Sequence, residues 1–501
     1  MKYTLMSNRS RREIMALYFI IGKKETSLDF ISQFLNISKR LAKETIIGIN
    51  EHFFKYLKKG EFVTSTNFGV VSINVKYRDS GLSDINKLKL FLLKENQLFN
   101  LCLLLSTNAS IERSDILKKL YISEAYLDKI TIQLRNFLIS FGLNIDLSHG
   151  VFKLNGPEIY IRIFTFVFLF DSFQDVEWPF KNLSPSEIDN SFSDASLLNI
   201  KQKGNSEILA LYYLISIFHL RTESGNIIDN YPSSREKQFL SVFYNLTKSS
   251  EIGAHSILGS KLIDASVTES HYLVFLTCIS TSDMLDPVAK SQIGDEFRKS
   301  EVSFPLVHKI LDNNLFIISQ NVSENLLSLV SYHLAVAIAC SYILEDTTQN
   351  FLFLLSSFHP TYLDLDEVFI DSFRKSNANI EMGKNQLQIV SRLLYSIYNS
   401  NMQTNFLIYL QMTRDLSASF NIISRIENIF NIQNIGVTNN ISDADVIVTD
   451  VFDGMGKAKK NVIYLDSINN RKAWNELLAD ILKMYIEKQD TERESYLKIL
   501  F

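Results

Sequence analysis

Cysteine is scarce: Cys102, Cys278 and Cys340 are the three in 501 residues, far apart and each in an apolar run. No CxxC pair exists, so neither zinc-site spacing nor a disulfide framework is present, and a reducing compartment is expected. Proline and glycine are also sparse, at 7 and 17 residues, which excludes a low-complexity or disordered chain. The phosphate-cradling loops GxxxxGKS/T and GxGxxG are missing, and Asp453-Gly454-Met455-Gly456-Lys457 is only a glycine-containing turn. HExxH and GxSxG are missing as well. The expectation is a protein that is not an enzyme and takes no cofactor and no metal. Long apolar runs are lacking too. Ile159–Phe170 is interrupted by Arg162 and Val330–Leu344 by His333. Both fall short of the roughly 18–20 residues that span a bilayer. Residues 1–20 show no signal-peptide pattern. A soluble, cytoplasmic protein without a membrane partner is expected.

The formal net charge of −4 argues at first against a nucleic-acid binder, but its distribution reverses that. Residues 1–80 hold 14 Lys+Arg against 7 Asp+Glu, residues 81–160 hold 9 against 8, and the remainder holds 28 against 40. A basic head on an acidic body is the asymmetry expected when one end meets phosphate.

The head has a readable organisation. Arg11 to Gly22 is predicted helical, with Ile14, Leu17, Tyr18 and Ile21 on one stripe. Ser27 caps a short helix from Leu28 to Leu35, with Leu28, Ile31 and Leu35 facing inward. Asn36-Ile37-Ser38 is a turn, and Ser38 caps a second helix that buries Ala42, Ile46, Ile49 and Phe53. Its opposite face carries Lys39, Arg40, Lys43 and Glu44. Two helices joined by a three-residue turn, the second with a basic N-terminal end, make a helix-turn-helix. Glu61–Ser65 and Gly69–Val75, joined at Asn67-Phe68-Gly69, then read as a hairpin wing. Ser38, Lys39, Arg40, Lys43 and Glu44 are the candidate DNA-reading residues. Lys58, Lys59 and Lys76 are candidate phosphate contacts.

The plan recurs. Lys87 to Leu105 is predicted helical, Ile111–Leu120 is a second scaffold helix, and Tyr121-Ile122-Ser123 is a second turn. Glu124–Ser140 follows, with Leu127, Ile130, Leu134 and Phe137 inside. Leu143–Leu154, hinged at His149-Gly150, is a second wing. A duplicated motif outweighs a single one. The exposed face of this second helix is less basic: Glu124, Tyr126, Asp128, Lys129 and Arg135. It either contacts DNA through Tyr126, Lys129 and Arg135 or has become a packing element.

Residues 160 to about 400 read as successive apolar helices, with Glu207–Leu220 and Glu324–Leu344 resembling tandem copies and a split at the polar segment Val288–Asp295. From Asn405 strands alternate with helices: FLIYL, the helix Asp415–Phe430, NIGV, DVIVTD, NVIYL and the helix Arg471–Lys488. That alternation indicates a small α/β layer. The fold class is therefore multidomain and predominantly α, with two winged helix-turn-helix units (1–78 and 79–165), two all-helical bundles (166–288 and 289–402) and a C-terminal α/β module (403–501).

This order of parts resembles the Mga-type regulators of Gram-positive bacteria. The helical bundles resemble PRD domains, the regulatory domains of the phosphotransferase system, and the last module resembles enzyme IIB of that system. The resemblance implies a DNA-binding transcription regulator, an activator of global or virulence-associated genes. It implies as partners promoter duplex DNA, RNA polymerase, a second copy of the chain as homodimer or higher oligomer, and the phosphocarrier protein of the phosphotransferase system. It also implies histidine phosphorylation, for which His219 and His333 are the candidates, set against a role as ordinary core histidines. None of the eight histidines follows an Asp, unlike the usual PRD site, and no Cys stands after Cys340, where an active enzyme IIB carries its phosphorylated thiol. Two related readings remain open. A dedicated sugar-operon activator would carry Asp-His sites, and a PRD-type RNA-binding antiterminator would begin with a small β-rich domain.

Overall fold

The computed structural model describes residues 5–66, 69–191, 204–248, 266–280, 285, 287–299, 305–318, 324–347, scattered positions between 371 and 394, 404–412, 418–430, 434–450, 461–465 and 471–500. The chain divides into two compact units, residues 1–308 with 323–359, and residues 309–322 with 360–501.

The first unit opens with α1 (Asn8–Lys23), capped by the Ser7 hydroxyl, which accepts from the Ser10 amide. Strand β1 (Glu25–Ser27), α2 (Leu28–Leu35), α3 (Lys39–Leu57), β2 (Val63–Ser65) and β3 (Val70–Ile73) follow. Ile14, Leu17 and Ile20 of α1 meet Ile31 of α2 and Ala42, Ile49 and Phe53 of α3 in one buried core. Leu28 and Leu35, expected inside, are only half-buried, because an eight-residue helix has one turn of core contact, centred on Ile31. The wing strands are shorter than predicted, and a third strand joins them. β1 pairs antiparallel with β3 (Glu25↔Ser72), and β3 with β2 (Val63↔Ile73). The predicted turn at Asn67-Phe68 lies outside the described residues, while Gly69 has φ +79°.

Next come α4 (Gly81–Lys94) and α5 (Gln97–Thr107). The single helix predicted over Lys87–Leu105 is therefore two. The Asn96 side chain accepts from the Leu98 amide and starts a new helix, the competition with the helical backbone for which Asn is known. After β4 (Ile111–Glu112) come α6 (Arg113–Leu120), α7 (Glu124–Ile139), β5 (Asn144–Ser148) and β6 (Val151–Asn155). These three strands form a second antiparallel sheet in the order β4-β6-β5. His149 and Gly150 both have positive φ, as a two-residue hairpin turn of this hand requires. Leu127, Ile130, Leu134 and Leu138 line the buried stripe of α7, while Phe137 sits half-buried at its margin.

The remainder of the first unit is helical: α8 (Glu158–Phe173), α9 (Pro185–Ser191), α10 (Asn205–Glu223), α11 (Ser234–Lys248), α12 (Val267–Ser280), α13 (Pro287–Lys299) and α14 (Glu324–Leu344). Arg162 of α8 has no solvent exposure. It grips Glu269 of α12 with both terminal nitrogens, donates to Glu158 (3.0 Å), and donates to the Asn226 carbonyl (2.8 Å). Arg221 of α10 binds Glu158 from the other side at 2.6 and 2.8 Å. Two arginines and two glutamates thus neutralise one another in the interior, the arrangement a buried charge requires. The expected limit between residues 165 and 166 falls inside α8.

The polar segment Val288–Asp295 is helical. It lies in α13, which buries Ala289, Ile293 and Phe297 at four-residue intervals. At Gly294 this helix meets α14 so closely that a Cβ would stand 1.8 Å from the Ser328 carbonyl oxygen. α14 is 21 residues long with mean hydropathy 1.8, long and apolar enough to cross a membrane. The apolar stretch expected over Val330–Leu344 is longer in the fold, because its helix extends back to Glu324. More than half of its most apolar stretch is buried inside the protein.

In the second unit, β7 (Phe406–Gln411), β8 (Ile435–Thr438), β9 (Val446–Thr449) and β10 (Asn461–Tyr464) form a parallel sheet in the order β10-β9-β7-β8. Helices α15 (Ala418–Ile429) and α16 (Arg471–Leu500) supply Ile422, Ile426, Trp474, Leu477 and Ile481 to its core. Asp445 is held by the Lys488 ammonium (2.8 Å) and the Leu407 amide (2.8 Å), which fixes α16 to the N-terminal ends of the two central strands, β7 and β9. The glycine-containing turn at 453–457 and the limit at 402/403 lie outside the described residues.

Candidate nucleic-acid interface

The turn before α3 is built from local bonds. Asn36 takes the left-handed conformation (φ 51°), and the Ile37 amide donates back to the Ser32 carbonyl at 3.0 Å, closing the end of α2. The Ser38 hydroxyl then accepts from the Leu41 amide and starts α3. The first turns of α3 consequently stand in solvent, with Ser38, Lys39, Arg40, Lys43 and Glu44 all exposed. Lys39 pairs with Asp29 of α2 at 2.8 Å, and Arg40 with Glu44 at 3.0 Å. Exposed pairs of this kind are worth less than about 1 kcal/mol, so neither locks its cation away from a phosphate. Lys43 has no bonding partner among the described residues.

The other three lysines are elsewhere. Lys58 caps the far end of α3, about 28 Å along the axis from Lys39 at 1.5 Å per residue, and donates to the Lys55 carbonyl. Lys59 is partly buried in an ion pair with Asp84 of α4 and lies over the Tyr77 ring. It holds α3 to α4 and is only partly exposed to solvent. Lys76 is exposed in a 3-10 turn after β3.

In the second unit of the head, Tyr121 takes the left-handed position (φ 52°) and Ser123 caps α7 in the manner of Ser38. Tyr126 and Lys129 are exposed on the first turns of α7. The two carboxylates on this face are occupied by one residue that the sequence reading overlooked. Arg113, at the start of α6, lies 2.9 Å from Asp128 and 3.6 Å from Glu124. Repulsion of phosphate by this face is thereby reduced. Arg135 is not part of the exposed face. It lies beside the buried stripe of α7 and donates to the Ile145 carbonyl of β5 at 3.0 Å, bracing the wing.

A second overlooked group lies between α1 and α3. A cavity of about 300 Å³ is lined there by Arg9, Arg12, Glu13, Leu41, Thr45 and Gly48. The buried Glu13 carboxylate accepts from Arg9 (2.9 Å) and meets His52 Nδ1 (2.6 Å). A Cβ at residue 48 would stand 2.4 Å from that carboxylate. The signal was the glycine itself. Within a strong helix a glycine costs about 1 kcal/mol relative to alanine, and it often marks a close approach.

The two histidine candidates are not equivalent. His219 sits four residues before the end of α10, half-buried, with Nε2 3.4 Å from Glu223. His333 lies in the middle of α14, exposed and edge-on to Tyr332 at 5.2 Å. Among the described residues the imidazole with least solvent exposure is His271, whose Nδ1 meets the Tyr231 hydroxyl at 2.6 Å, and burial lowers its pKa, as desolvation does that of His333. His255 and His359 lie outside the described residues. All three cysteines are buried, and burial pushes the thiols of Cys278 and Cys340 up to about 12. Among the described residues no group of three or more His, Cys, Asp or Glu is placed to hold a metal ion.

No curated protein matches the chain. Residues 83–170, from within α4 almost to the end of α8, match the family model described as the Mga helix-turn-helix domain. The matched segment contains α6, the Tyr121-Ile122-Ser123 turn, α7 and the second wing. The chain therefore carries a Mga helix-turn-helix domain, and that domain supports its reading as a Mga-type regulator.

Proposed function

We propose that the chain is a transcription activator that binds promoter DNA, with the N-terminal end of α3 as its principal reading surface. The observation that carries this is the exposed group Lys39, Arg40 and Lys43 on a helix positioned by a fully capped three-residue turn. Cations there reach base edges or phosphates once the helix end enters the major groove. Ser38 and Glu44 flank them, and Tyr126 and Lys129 of α7 add a second contact. Lys58 and Lys76 meet phosphate only where the duplex extends past the groove that α3 enters.

The likeness to Mga-type regulators supports the finer parts of the reading. These are the partition into two winged units, two PRD-like bundles and an enzyme IIB-like module, control of global or virulence genes, self-association and action with RNA polymerase in the cytoplasm. Phosphorylation of His219 or His333 by the phosphocarrier protein would add about −1.5 to −2 charges to a helix surface, enough to reshape an interface.

The test is a mobility shift on duplex DNA across a salt series, with wild type beside a Lys39→Ala/Arg40→Ala/Lys43→Ala variant. Each lost phosphate contact lowers the slope of log K against log salt by about 0.9, so the variant should lose up to about 3 from the slope. Unchanged affinity in the variant would remove α3 from the interface. Failure of wild type to bind duplex at low salt would remove the DNA-binding reading altogether.

A further inference from the structure

The two helix-turn-helix units are joined by no flexible linker. After β3, the Asn74 side chain caps the Lys76 amide (3.1 Å) and donates to the Glu61 carbonyl (3.1 Å). The Tyr77 ring stacks on Phe62 at 5.4 Å, and its hydroxyl donates to the Gly60 carbonyl at 3.3 Å. Helix α4 then begins at once and lies against the first unit along its length. Asp84, Phe91 and Glu95, spaced seven and eleven residues from the first, fall on one stripe of this helix and its C-cap. Asp84 is buried under Lys59 and accepts from Ser80 at 2.6 Å. Phe91 stacks on Tyr56 at 5.3 Å with the rings 10° from parallel. Glu95 takes Lys55 (3.1 Å) and the Tyr56 hydroxyl. On another side of α4, Asn86 accepts from the Tyr18 hydroxyl of α1 at 2.7 Å.

The same helix belongs to the second unit. Leu88, Leu92 and Leu93 are buried, and the fully buried Lys89 donates to the Asp171 carbonyl near the end of α8. Helix α4 is thus packed on both sides, against the first winged unit and within the second.

We infer that the two units form one rigid reading head that engages double-stranded DNA with α3 and α7 together and accepts a single separation between its two half-sites. The inference rests on the DNA-binding reading above and adds to it a rule of spacing. A rigid head has its second contact already placed when the first is made. A tether would allow several separations at an effective concentration set by its length. Inserting five base pairs rotates one half-site by about half a turn, and inserting ten restores the phase but moves it about 34 Å along the axis. A rigid head fails on both, whereas a tethered pair recovers on the second.

The experiment uses the full chain and a library of randomised duplexes of about 40 base pairs, followed by mobility shifts on the enriched sequence with zero, five or ten base pairs inserted between its half-sites. The expected result is two enriched half-motifs at one spacing, with either insertion lowering affinity tenfold or more. A Tyr126→Ala/Lys129→Ala variant should lose selection at one half-motif and keep it at the other. A Tyr56→Ala/Glu95→Gln variant, which removes one of the contacts holding α4 to the first winged unit and leaves the exposed residues at the starts of α3 and α7 untouched, should keep both half-motifs and discriminate less sharply between the selected spacing and one a single base pair longer. Its circular dichroism establishes that it is folded. One half-motif alone, or equal affinity for all spacings, overturns the rigid head and leaves DNA binding standing. No enrichment, with no binding of wild type at low salt, overturns both.

Discussion

Replacing Arg162 by Met should destabilise the first unit by about 3–5 kcal/mol, the range for a buried ion pair stripped of one partner. The side chain is fully buried, as is Glu269 opposite it. Methionine fills a similar volume but supplies none of the four donations to Glu269, Glu158 and the Asn226 carbonyl. Glu158 keeps Arg221 as a counterion. Among the described residues Glu269 then keeps the Ile228 amide at 2.7 Å and no cation, so it becomes a buried carboxylate without a counterion. At about 2–4 °C per kcal/mol for a unit of this size, the melting midpoint should fall by roughly 10 °C. Thermal unfolding followed by circular dichroism measures it. The companion variant Arg162→Met/Glu269→Leu removes both charges and should recover at least about 2 kcal/mol of the loss, because the uncompensated carboxylate is gone. A single variant within 1 kcal/mol of wild type, or a double variant no better than the single, would refute the reasoning.

Gly294→Ala should cost about 1–3 kcal/mol by forcing α13 away from the Ser328 carbonyl and the Tyr332 amide, and an unchanged urea midpoint would contradict that approach. Native protein at pH 8 should leave a disulfide thiol reagent unreacted, since burial holds the thiols of Cys278 and Cys340 near 12, and all three cysteines should react after denaturation. Burial keeps His271 neutral in the fold, so below about pH 6.5 the unfolded chain takes up a proton before the folded one does, and stability falls with falling pH. His271→Gln should flatten that decline in urea titrations between pH 7 and pH 5. Arg135→Ala should lower stability by about 1 kcal/mol through its lost bond to Ile145, and it should leave the salt slope of DNA binding unchanged.

The parts legible in the sequence are those governed by neighbours. Ser27 and Ser38 cap helices at the residues where the sequence placed them, the turn read at Tyr121-Ile122-Ser123 is present with Ser123 as the cap of α7, and Asn36 and Tyr121 take the left-handed turns between. The apolar stripes of α3 and α7 and the short apolar runs of the parallel sheet were readable for the same reason. What escaped depends on partners distant in the chain. Strands β1 and β4 are three and two residues long and exist only because β3 and β6 come back to them. Arg113 carries no sign in the sequence of its pairing with Asp128 of α7, and Lys59, read as a candidate phosphate contact, is paired with Asp84 of α4. Helix α13 was hidden by its polar outer face, although Ala289, Ile293 and Phe297 keep helical spacing.

Helix α8 has a consequence for how such a protein can be rearranged in evolution or in the laboratory. It receives Lys89 from the DNA-reading side and, two turns nearer its start, offers Arg162 to helices α10 and α12. A cut between Thr165 and Phe166 would divide one hydrogen-bonded helix and leave Glu269 facing an empty seat. The DNA-reading head is therefore not a cassette that can be exchanged at its apparent end. A chimaera between two such chains inherits compatible charges only if α8, α10 and α12 travel as one block, so the lineage of the reading head and that of the helices behind it are tied together through a single arginine.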